Sequence, residues 1–422
     1  MSEPARRPTA AILTLGCKLN IADSEAMARR LRDAGWSVVD RAPGVDAVIV
    51  NSCSVTHVAD QKSRHLVRQA RKLEPDATVA FTGCMVETAA PQTIDALGAD
   101  LVSRQVDQIA LADRIIELRP TLTPSLPTAP ALKTRAFISA QEGCNDVCAF
   151  CIIPRTRGRE RSKPVAAIVA EAQAREAEGA QEIVITGTQL GAYGRDRGED
   201  GPYAVLAALL EATSVPRIRM SSLQPQDLSP RFVALWQDAR LCRHFHLALQ
   251  SGSETVLRRM RRRYSASQYR EAVALLRRSI PDVAITTDVI VGFPGETEAE
   301  FEETYAFCHE MTFSGVHVFP YSQRSGTVAA KLPDPVDETA KKERVHRLIA
   351  LAEAMSADYH ARFLDRAVSV LWETRREDDV WEGLTDTYVR VRARSAADLH
   401  NQLTAVKITA VDGNELWGEE AL

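Results

Sequence analysis

The sequence predicts an α/β protein in three parts: a doubly wound parallel sheet, a partial (β/α) barrel and a small antiparallel β-barrel. Three observations carry this expectation. Short apolar runs alternate with helical patterns over residues 1–118 and again over 134–363, and strands interleaved with helices imply parallel crossovers. A stretch without periodicity, Arg119-Pro-Thr-Leu-Thr-Pro-Ser-Leu-Pro-Thr-Ala-Pro130, separates the two series as a semi-extended linker over 119–133. Over 364–422 the pattern changes to short alternating runs with tight turns, the signature of small antiparallel barrels, a class that includes nucleic-acid binders.

In the first part the strands expected are Ala10–Leu15, Ser37–Asp40, Ala47–Asn51, Thr78–Thr82 and Asp100–Val102. The helices between them are Ile21–Ala34, His57–Leu73, Thr88–Leu97 and Val106–Leu118; the first carries Ala22, Ala26, Met27 and Leu31 at helical spacing and stops at Gly35. In the second part the strands expected are Arg135–Ala140, Glu182–Thr186, Arg217–Ser221, His244–Ala248, Val283–Val291 and Gly315–Phe319. Helices fall at Val165–Glu178, Tyr203–Ala212, Pro230–Gln237, Ser267–Ser279 and Glu298–Met311, and a connecting helix covers 337–363. The last part offers strands at Val368–Trp372, Val380–Leu384, Tyr388–Ala393 and Val406–Val411, with a turn at Asp412-Gly413-Asn414.

Hydrophobic content of 45% and charged content of 26% are those of an ordinary globular protein. No run approaches the ~18 apolar residues of a membrane helix. Arg6-Arg7 before a short apolar run ending at Cys17 loosely suggests an export signal. That run is short and leads straight into an amphipathic helix, so it is read as a first core strand and the protein as cytoplasmic. A net charge of −4 advertises no global attraction for nucleic acid. Eight cysteines in such a chain point to reduced thiols and metal ligation.

Three of them, Cys144, Cys148 and Cys151, stand at a Cys-x-x-x-Cys-x-x-Cys spacing directly after the strand Arg135–Ala140. Closely spaced thiolates ligate soft metals, and iron–sulfur clusters normally take four of them. Three leave one iron of a cubane open to a small molecule. A structural zinc site would want a fourth ligand and usually paired Cys-x-x-Cys units, and the segment has one such pair and no obvious fourth ligand. Three further cysteines, Cys17, Cys53 and Cys84, each lie just past the carboxyl end of an expected strand. In open parallel sheets those ends form the ligand crevice. Singly each is compatible with a buried core thiol; together, with Gly16 and Gly83 beside two of them, they suggest a second cluster with an open iron.

The barrel turns Gly187–Gly194, Ser222–Pro225, Gln250–Gly252 and Gly292–Glu296 follow strands, and glycines in three of them permit close backbone approach to a ligand. Two basic clusters stand out: Arg155, Arg157, Arg159, Arg161 and Lys163, and Arg258, Arg259, Arg261, Arg262 and Arg263. Phosphate contacts come from such groups, and a solvated helix face is the alternative. Cys242, Cys308, His244 and His246 are assigned to the core, and His57 to a helix start.

Phe150 before the last cysteine and the Cys-x-x-x-Cys-x-x-Cys spacing resemble the radical S-adenosylmethionine (SAM) superfamily. With the upstream trio and the terminal β-module, nearly the whole chain resembles the methylthiotransferases. The stretches that carry the likeness are Thr14–Asn20, Asn51–His57, Thr82–Cys84, Gly143–Pro154, Leu247–Gly252 and Asp288–Thr297. Lys18, Ala59–Arg64, Arg258–Tyr264 and Val318–Thr327 are similar to the subgroup acting on N6-threonylcarbamoyladenosine in tRNA, while Arg155 departs from the family's usual aromatic or small residue. The resemblance implies one 4Fe–4S cluster on Cys17, Cys53 and Cys84 and another on Cys144, Cys148 and Cys151, SAM as cofactor, and a TRAM-like last domain that helps bind RNA. It implies a SAM cradle from Phe150, Gly187, Gln189, Gln250, Gly292 and Pro294, and tRNA contacts from Arg155, Arg157, Arg159, Arg261, Arg262 and Arg263. An electron donor such as a flavodoxin or ferredoxin and a sulfur source are the further partners implied. Related activities, on isopentenyl-adenosine in tRNA or on a ribosomal-protein aspartate, stand beside this one, as does a non-catalytic iron–sulfur RNA-binding protein.

Overall fold

The computed structural model describes residues 7–39, 43–118, 134–413 and 415–420; the expected linker 119–133 lies outside them, as do Asp40 and Asn414. The chain divides into two compact units. The first holds the chain before the linker together with Gln141–Asp146 and Ile152–Arg161; the second holds Val147–Cys151, Ser162–Leu422 and the residues leading up to Ala140.

The first unit is a five-stranded parallel sheet of β1 (Thr9–Thr14), β2 (Ser37–Val39), β3 (Ala47–Ser52), β4 (Thr78–Gly83) and β5 (Leu101–Val102), in the order β2-β1-β3-β4-β5. Every residue of β3 is buried, as its unbroken run Ala-Val-Ile-Val anticipates for a strand covered on both faces. One face packs Val48, Val50 and Phe81 against Val67 of α2 (His57–Leu73). The other packs Ile49 and Ala80 against Met27 and Leu31 of α1 (Lys18–Asp33) and Leu111 and Ile115 of the last helix of the unit, Gln108–Leu118. The sheet is doubly wound, and its order reverses between β1 and β3, the point at which such sheets open a crevice. The single helix expected over Thr88–Leu97 is two short ones, α3 (Cys84–Thr88) and α4 (Pro91–Asp95). Pro91 can start a helix but has no N–H to continue one, and it bars the α conformation to the residue before it. In chain order Gln108–Leu118 is α5.

The second unit opens with β6 (Arg135–Glu142), followed by α6 (Ile153–Thr156), itself counted with the first unit, β7 (Arg161–Ser162), α7 (Val165–Ala177), β8 (Glu182–Gly187), α8 (Gly201–Ala212), β9 (Arg217–Met220) and α9 (Pro230–Val233). It continues with β10 (His244–His246), α10 (Glu254–Arg259), α11 (Ala266–Ser279), β11 (Ala284–Val291), α12 (Glu298–Met311), β12 (Gly315–Pro320) and α13 (Glu338–Ala361). Strands β7-β6-β8-β9 form one series, in which β8 and β9 pair parallel, and the parallel β10-β11-β12 another, joined by parallel bridges Ile218–Leu241 and Leu223–Leu247 into an open barrel. Alternate strand residues such as Ile183, Ile185, Ile218, Phe245 and Val289 pack outward on the helices. The residues between them, among them Glu182, Arg219 and Asp288, sit on the opposite face.

The closing β-barrel comprises β13 (Ala367–Arg375), β14 (Val380–Thr385), β15 (Arg390–Arg394), β16 (Leu403–Asp412) and β17 (Glu415–Glu420), in the order β13-β14-β15-β17-β16. Sequence reasoning missed β17, whose run is short and sits behind a turn. It closes the barrel by pairing parallel to β15, the one exception to the antiparallel expectation among the described pairs. This barrel is fastened to the amino-terminal ends of the (β/α) strands by buried arginines. Arg217 donates to the carbonyls of Ser369 and Leu384 at 2.7 and 2.8 Å, and Arg219 to those of Asp386 and Thr385 at 3.0 and 3.2 Å. Tyr388 stacks on His244 with ring centroids 4.8 Å apart.

Candidate active site

In the first unit the three upstream cysteines fall at the carboxyl ends of three adjacent strands. Cys17 is the N-cap of α1, Cys53 follows β3 directly, and Cys84 opens α3 after β4. The turns are held by backbone that only glycine tolerates: Gly83 has φ +98, and a Cβ there would fall 2.4 Å from the Ser52 carbonyl oxygen. Buried amides tie the loops together. Asn51 donates to the Asn20 carbonyl and to Ser24 Oγ, both at 3.0 Å, and Asn20 donates to the Ser52 carbonyl at 3.0 Å. Ser63 Oγ donates to the Cys53 carbonyl at 3.0 Å, and Cys17 Sγ to Asn20 Oδ1 at 3.4 Å.

Exposure falls from Cys17, open to solvent, through Cys53 to Cys84, which is 3% exposed. Burial pushes the Cys84 thiol up to about 11 even though Arg157 opposes it, and burial likewise raises Cys53. Thiols so placed ionise only against a positive partner, which is the environment a metal centre supplies. Among the described residues no three His, Cys, Asp or Glu side chains converge on a point where a single metal ion would sit. A structural zinc site is not preformed at either trio; a cluster of several irons spans its ligands more widely.

The same unit contains the segments on either side of the Cys144–Cys151 loop. Cys144 N–H donates to the Gly158 carbonyl at 3.1 Å, and Asp146 N–H to Cys144 Sγ at 3.3 Å. Gly143, at φ +71, lies so close to the Gly158–Arg159 backbone that a Cβ would meet Arg159 O at 2.0 Å. Helix α6 packs on α3, behind Cys84.

Arg157, expected among the RNA contacts, is not a surface residue. It is 2% exposed, and its Nη2 donates to Asn20 Oδ1 at 3.0 Å and Asp23 Oδ2 at 2.9 Å. Burial works against its charge, but Asp23 and then Cys84 and Cys17 outweigh it and hold it above its ordinary range. Arg155 and Arg159 are exposed.

In the second unit Cys148 and Cys151 are held by the loop that Ala149 pins, donating from its N–H to the Met260 carbonyl at 2.9 Å and accepting from Ala329 at 2.8 Å. Phe150 packs with Val256, Met260, Phe293 and Ala329. Arg262, the other arginine taken for an RNA contact, turns inward: Nη1 donates to Cys148 Sγ at 3.2 Å, Nη2 to Gln224 Oε1 at 2.9 Å and Nε to Tyr264 Oη at 3.1 Å. Its guanidinium lies 4.8 Å from the Tyr264 ring centroid. Arg261 and Arg263 on either side are exposed. No sequence signal distinguishes Arg262 from its neighbours; the left-handed backbone of Arg261, φ 57, is what turns it.

The remaining barrel candidates lie at carboxyl ends of strands. Gly187 ends β8, Gln189 follows it and is 7% exposed, and Gly292 and Pro294 follow β11. Gln250, after β10, has φ 68, an outlier for a non-glycine side chain, and is clamped there because its N–H donates to Asp288 O at 2.8 Å and its carbonyl accepts from Ile290 at 2.9 Å. Gly292 has φ +75, and a Cβ would meet Lys341 at 2.7 Å. Cys242 and Cys308 are buried, as expected. His246 Nε2 lies 3.1 Å from Asp288 Oδ1, and His244 Nε2 2.9 Å from Thr286 Oγ1.

The family model described as Radical SAM superfamily matches residues 138–308, and that described as Uncharacterized protein family UPF0004 matches 9–103. The threonylcarbamoyladenosine tRNA methylthiotransferase MtaB of Bacillus subtilis (strain 168) is 36% identical, covering 95% of this chain and 93% of the relative. Its Thermotoga maritima counterpart is 37% identical over 90% of each chain. The tRNA-2-methylthio-N(6)-dimethylallyladenosine synthase of Thermoanaerobacter sp. (strain X514) is 32% identical over 97% of this chain and 92% of its own. Among solved structures, the radical S-adenosylmethionine methyltransferase TsrM from Kitasatospora setae superposes with a TM-score of 0.52 at 15% identity over 75% of both chains, a likeness of fold. A Cys-x-x-x-Cys-x-x-Cys loop on an open barrel, a second cysteine trio on a doubly wound sheet and full-length relatives at this identity place the chain in the radical SAM methylthiotransferase family.

Proposed function

We propose that this chain inserts sulfur and a methyl group at C2 of N6-threonylcarbamoyladenosine, next to the anticodon of tRNA. The observation that carries the reading is the second trio, Cys17, Cys53 and Cys84, on the ends of three adjacent strands. A radical SAM enzyme needs one set of three cysteines, and a chain that builds two has a second task for sulfur. Membership of the superfamily implies SAM and a 4Fe–4S cluster, and the donor sets fit: each trio is three thiols on loops with a buried or half-buried arginine beside it. When bound, a reduced cluster on Cys144, Cys148 and Cys151 supplies the electron for reductive cleavage of SAM, and a second on the upstream trio supplies sulfur.

The chain's own work is positional. An adenine C2–H is neither acidic nor electrophilic enough for acid–base chemistry, so the protein must hold the reacting carbon still and dry beside its cofactors. The clamped backbone at Gln250 and the close-packed turn at Gly292 provide rigid walls for SAM, with Gly187, Phe150, Gln189 and Pro294 beside them. Exposed Arg155, Arg159, Arg261 and Arg263 are the cations proposed for tRNA phosphates, with help from the terminal TRAM-like barrel. Arg157 and Arg262 are withdrawn from that set. A cytoplasmic setting, a flavodoxin- or ferredoxin-like electron donor and a sulfur source complete the reading; no described helix is long and apolar enough to cross a membrane.

The dimethylallyladenosine relative at 32% identity favours isopentenyl-adenosine tRNA as the second reading. Mass spectrometry of tRNA nucleosides from a deletion strain separates the two. The 2-methylthio derivative of threonylcarbamoyladenosine is expected to vanish and to return with the wild-type gene alone. Loss of the dimethylallyl derivative instead would establish the second reading. Replacing Cys17, Cys53 and Cys84 with alanine is expected to leave SAM cleavage and abolish product; methylthio product from that variant would remove the sulfur-donor role.

A further inference from the structure

Arg157 is the most deeply buried cation among the described residues of the first unit, with a side chain 1% exposed. Only half of its fork is used. Nη2 is satisfied by Asn20 and Asp23, but Nη1 donates to nothing among the described residues, and the Glu142 carboxylate stands 3.7 Å away. Leaving a buried charged donor unmade forfeits its desolvation cost with nothing in return, so a fold that keeps one there has a partner for it outside the protein's own hydrogen bonds. The surroundings say what kind. Asn20 Oδ1, which accepts from Arg157, also accepts from Cys17 Sγ. The helix that leads into Arg157 packs on the helix that begins with Cys84. Asp23 is shared with Gln105, whose Nε2 donates to it at 2.8 Å, so the one carboxylate in hydrogen-bond contact with Arg157 is held in place. The result is a fixed, incompletely neutralised guanidinium beside the Cys84 and Cys17 sulfurs.

The geometry points to Arg157 as a positioning residue for the upstream sulfur site: its free Nη1–H and its charge stabilise anionic sulfur on Cys17, Cys53 and Cys84 and thereby set the reduction potential of the cluster bound there. Asp23 is the counterweight, holding the guanidinium in register and trimming its charge. This rests on the reading above that the upstream trio holds a cluster.

The test uses the full chain with Cys144, Cys148 and Cys151 replaced by alanine, so that only the upstream centre can load. After anaerobic reconstitution, iron and acid-labile sulfide are measured and the centre is titrated by electron paramagnetic resonance. Failure of this parent to load iron would sink the second cluster itself. Given loading, Arg157→Gln is expected to lower the potential by about 59 mV or more, a tenfold change in a one-electron equilibrium. Asp23→Asn, which leaves the guanidinium uncompensated, is expected to raise it, and Arg157→Lys to stay nearer the parent. Shifts of the same sign in the Gln and Asn variants, or no shift in either, would show Arg157 to be structural only. Should Arg157→Gln fail to load, loading restored by Arg157→Lys supports the role, and failure of both variants alike overturns it.

Discussion

At the scale of single residues, burial sorts arginines that look alike in sequence. Five arginines crowd residues 258–263, and one of them, Arg262, turns inward and donates to Cys148 Sγ at 3.2 Å. A hydrogen bond to a charged group contributes about 1.5–3 kcal/mol, and each 1.36 kcal/mol is tenfold in rate. Arg262→Gln is therefore expected to cut reductive SAM cleavage about ten- to a hundredfold while iron content stays at the wild-type level. Cleavage at the wild-type rate would show that the contact does nothing for the loop. Arg157 and Arg262 were both legible as basic residues and both illegible as interior ones, because side-chain direction depends on a backbone twist that composition does not carry.

At the scale of elements, the loops that carry the cysteines are fixed by neighbours distant in sequence. Helix α10, beside the Cys148 loop, is tied to α12 through Glu300, which closes the capping box on Thr297 and accepts from Arg259 at 2.7 Å and Thr255 at 2.6 Å. Burial opposes its charge, but those hydrogen bonds bring its carboxyl down to about 2. A depressed folded-state value means stability that is present above the unfolded value of about 4.3 and lost as pH falls toward 2. Glu300→Gln is expected to flatten the pH dependence of stability in that window, read from urea midpoints at pH 5 and pH 3. An unchanged slope would exclude the pairing. The elements themselves were largely legible: α2 and α12 occupy the spans their periodicity predicts, and the strand ends bearing Cys17, Cys53 and Cys84 lie where the apolar runs stop. The break at Pro91 was available from the sequence and was overridden by the helical pattern around it. Strand β17 was not visible, because a six-residue strand after a turn gains its stability from closing a barrel.

At the scale of the molecule, the second unit is two barrels on one buried ionic network. Glu182 and Arg219 are fully buried and pair at 2.7 Å, and Arg219 continues to the carbonyls of the Thr385–Asp386 turn. Burial opposes the charge on Glu182, and Arg219 overrides it and keeps the carboxyl low. Removing one partner leaves an uncompensated buried charge at a cost of about 3–5 kcal/mol. Glu182→Gln is expected to lower the urea midpoint accordingly, with the Glu182→Met/Arg219→Met pair recovering part of it. The unrecovered part measures the bonds to the terminal barrel. A Glu182→Gln variant as stable as the wild type would show that the pair is neutral.

The sequence by itself determined which atoms are available: six cysteines at strand ends and in a tight loop, the alternation of strands and helices that orders them, and the residues whose likeness names the family. Those are local facts, written in spacing and period. The tertiary structure alone decided that β1, β3 and β4 are adjacent, so that thiols 31 to 67 positions apart share one sheet edge. It also decided which cations turn inward, leaving Arg157 with half its fork unused beside Cys84 and Cys17 and Arg262 donating to Cys148. Strand order and burial are set by packing over the whole chain, and a buried charge declares itself only when its surroundings are known.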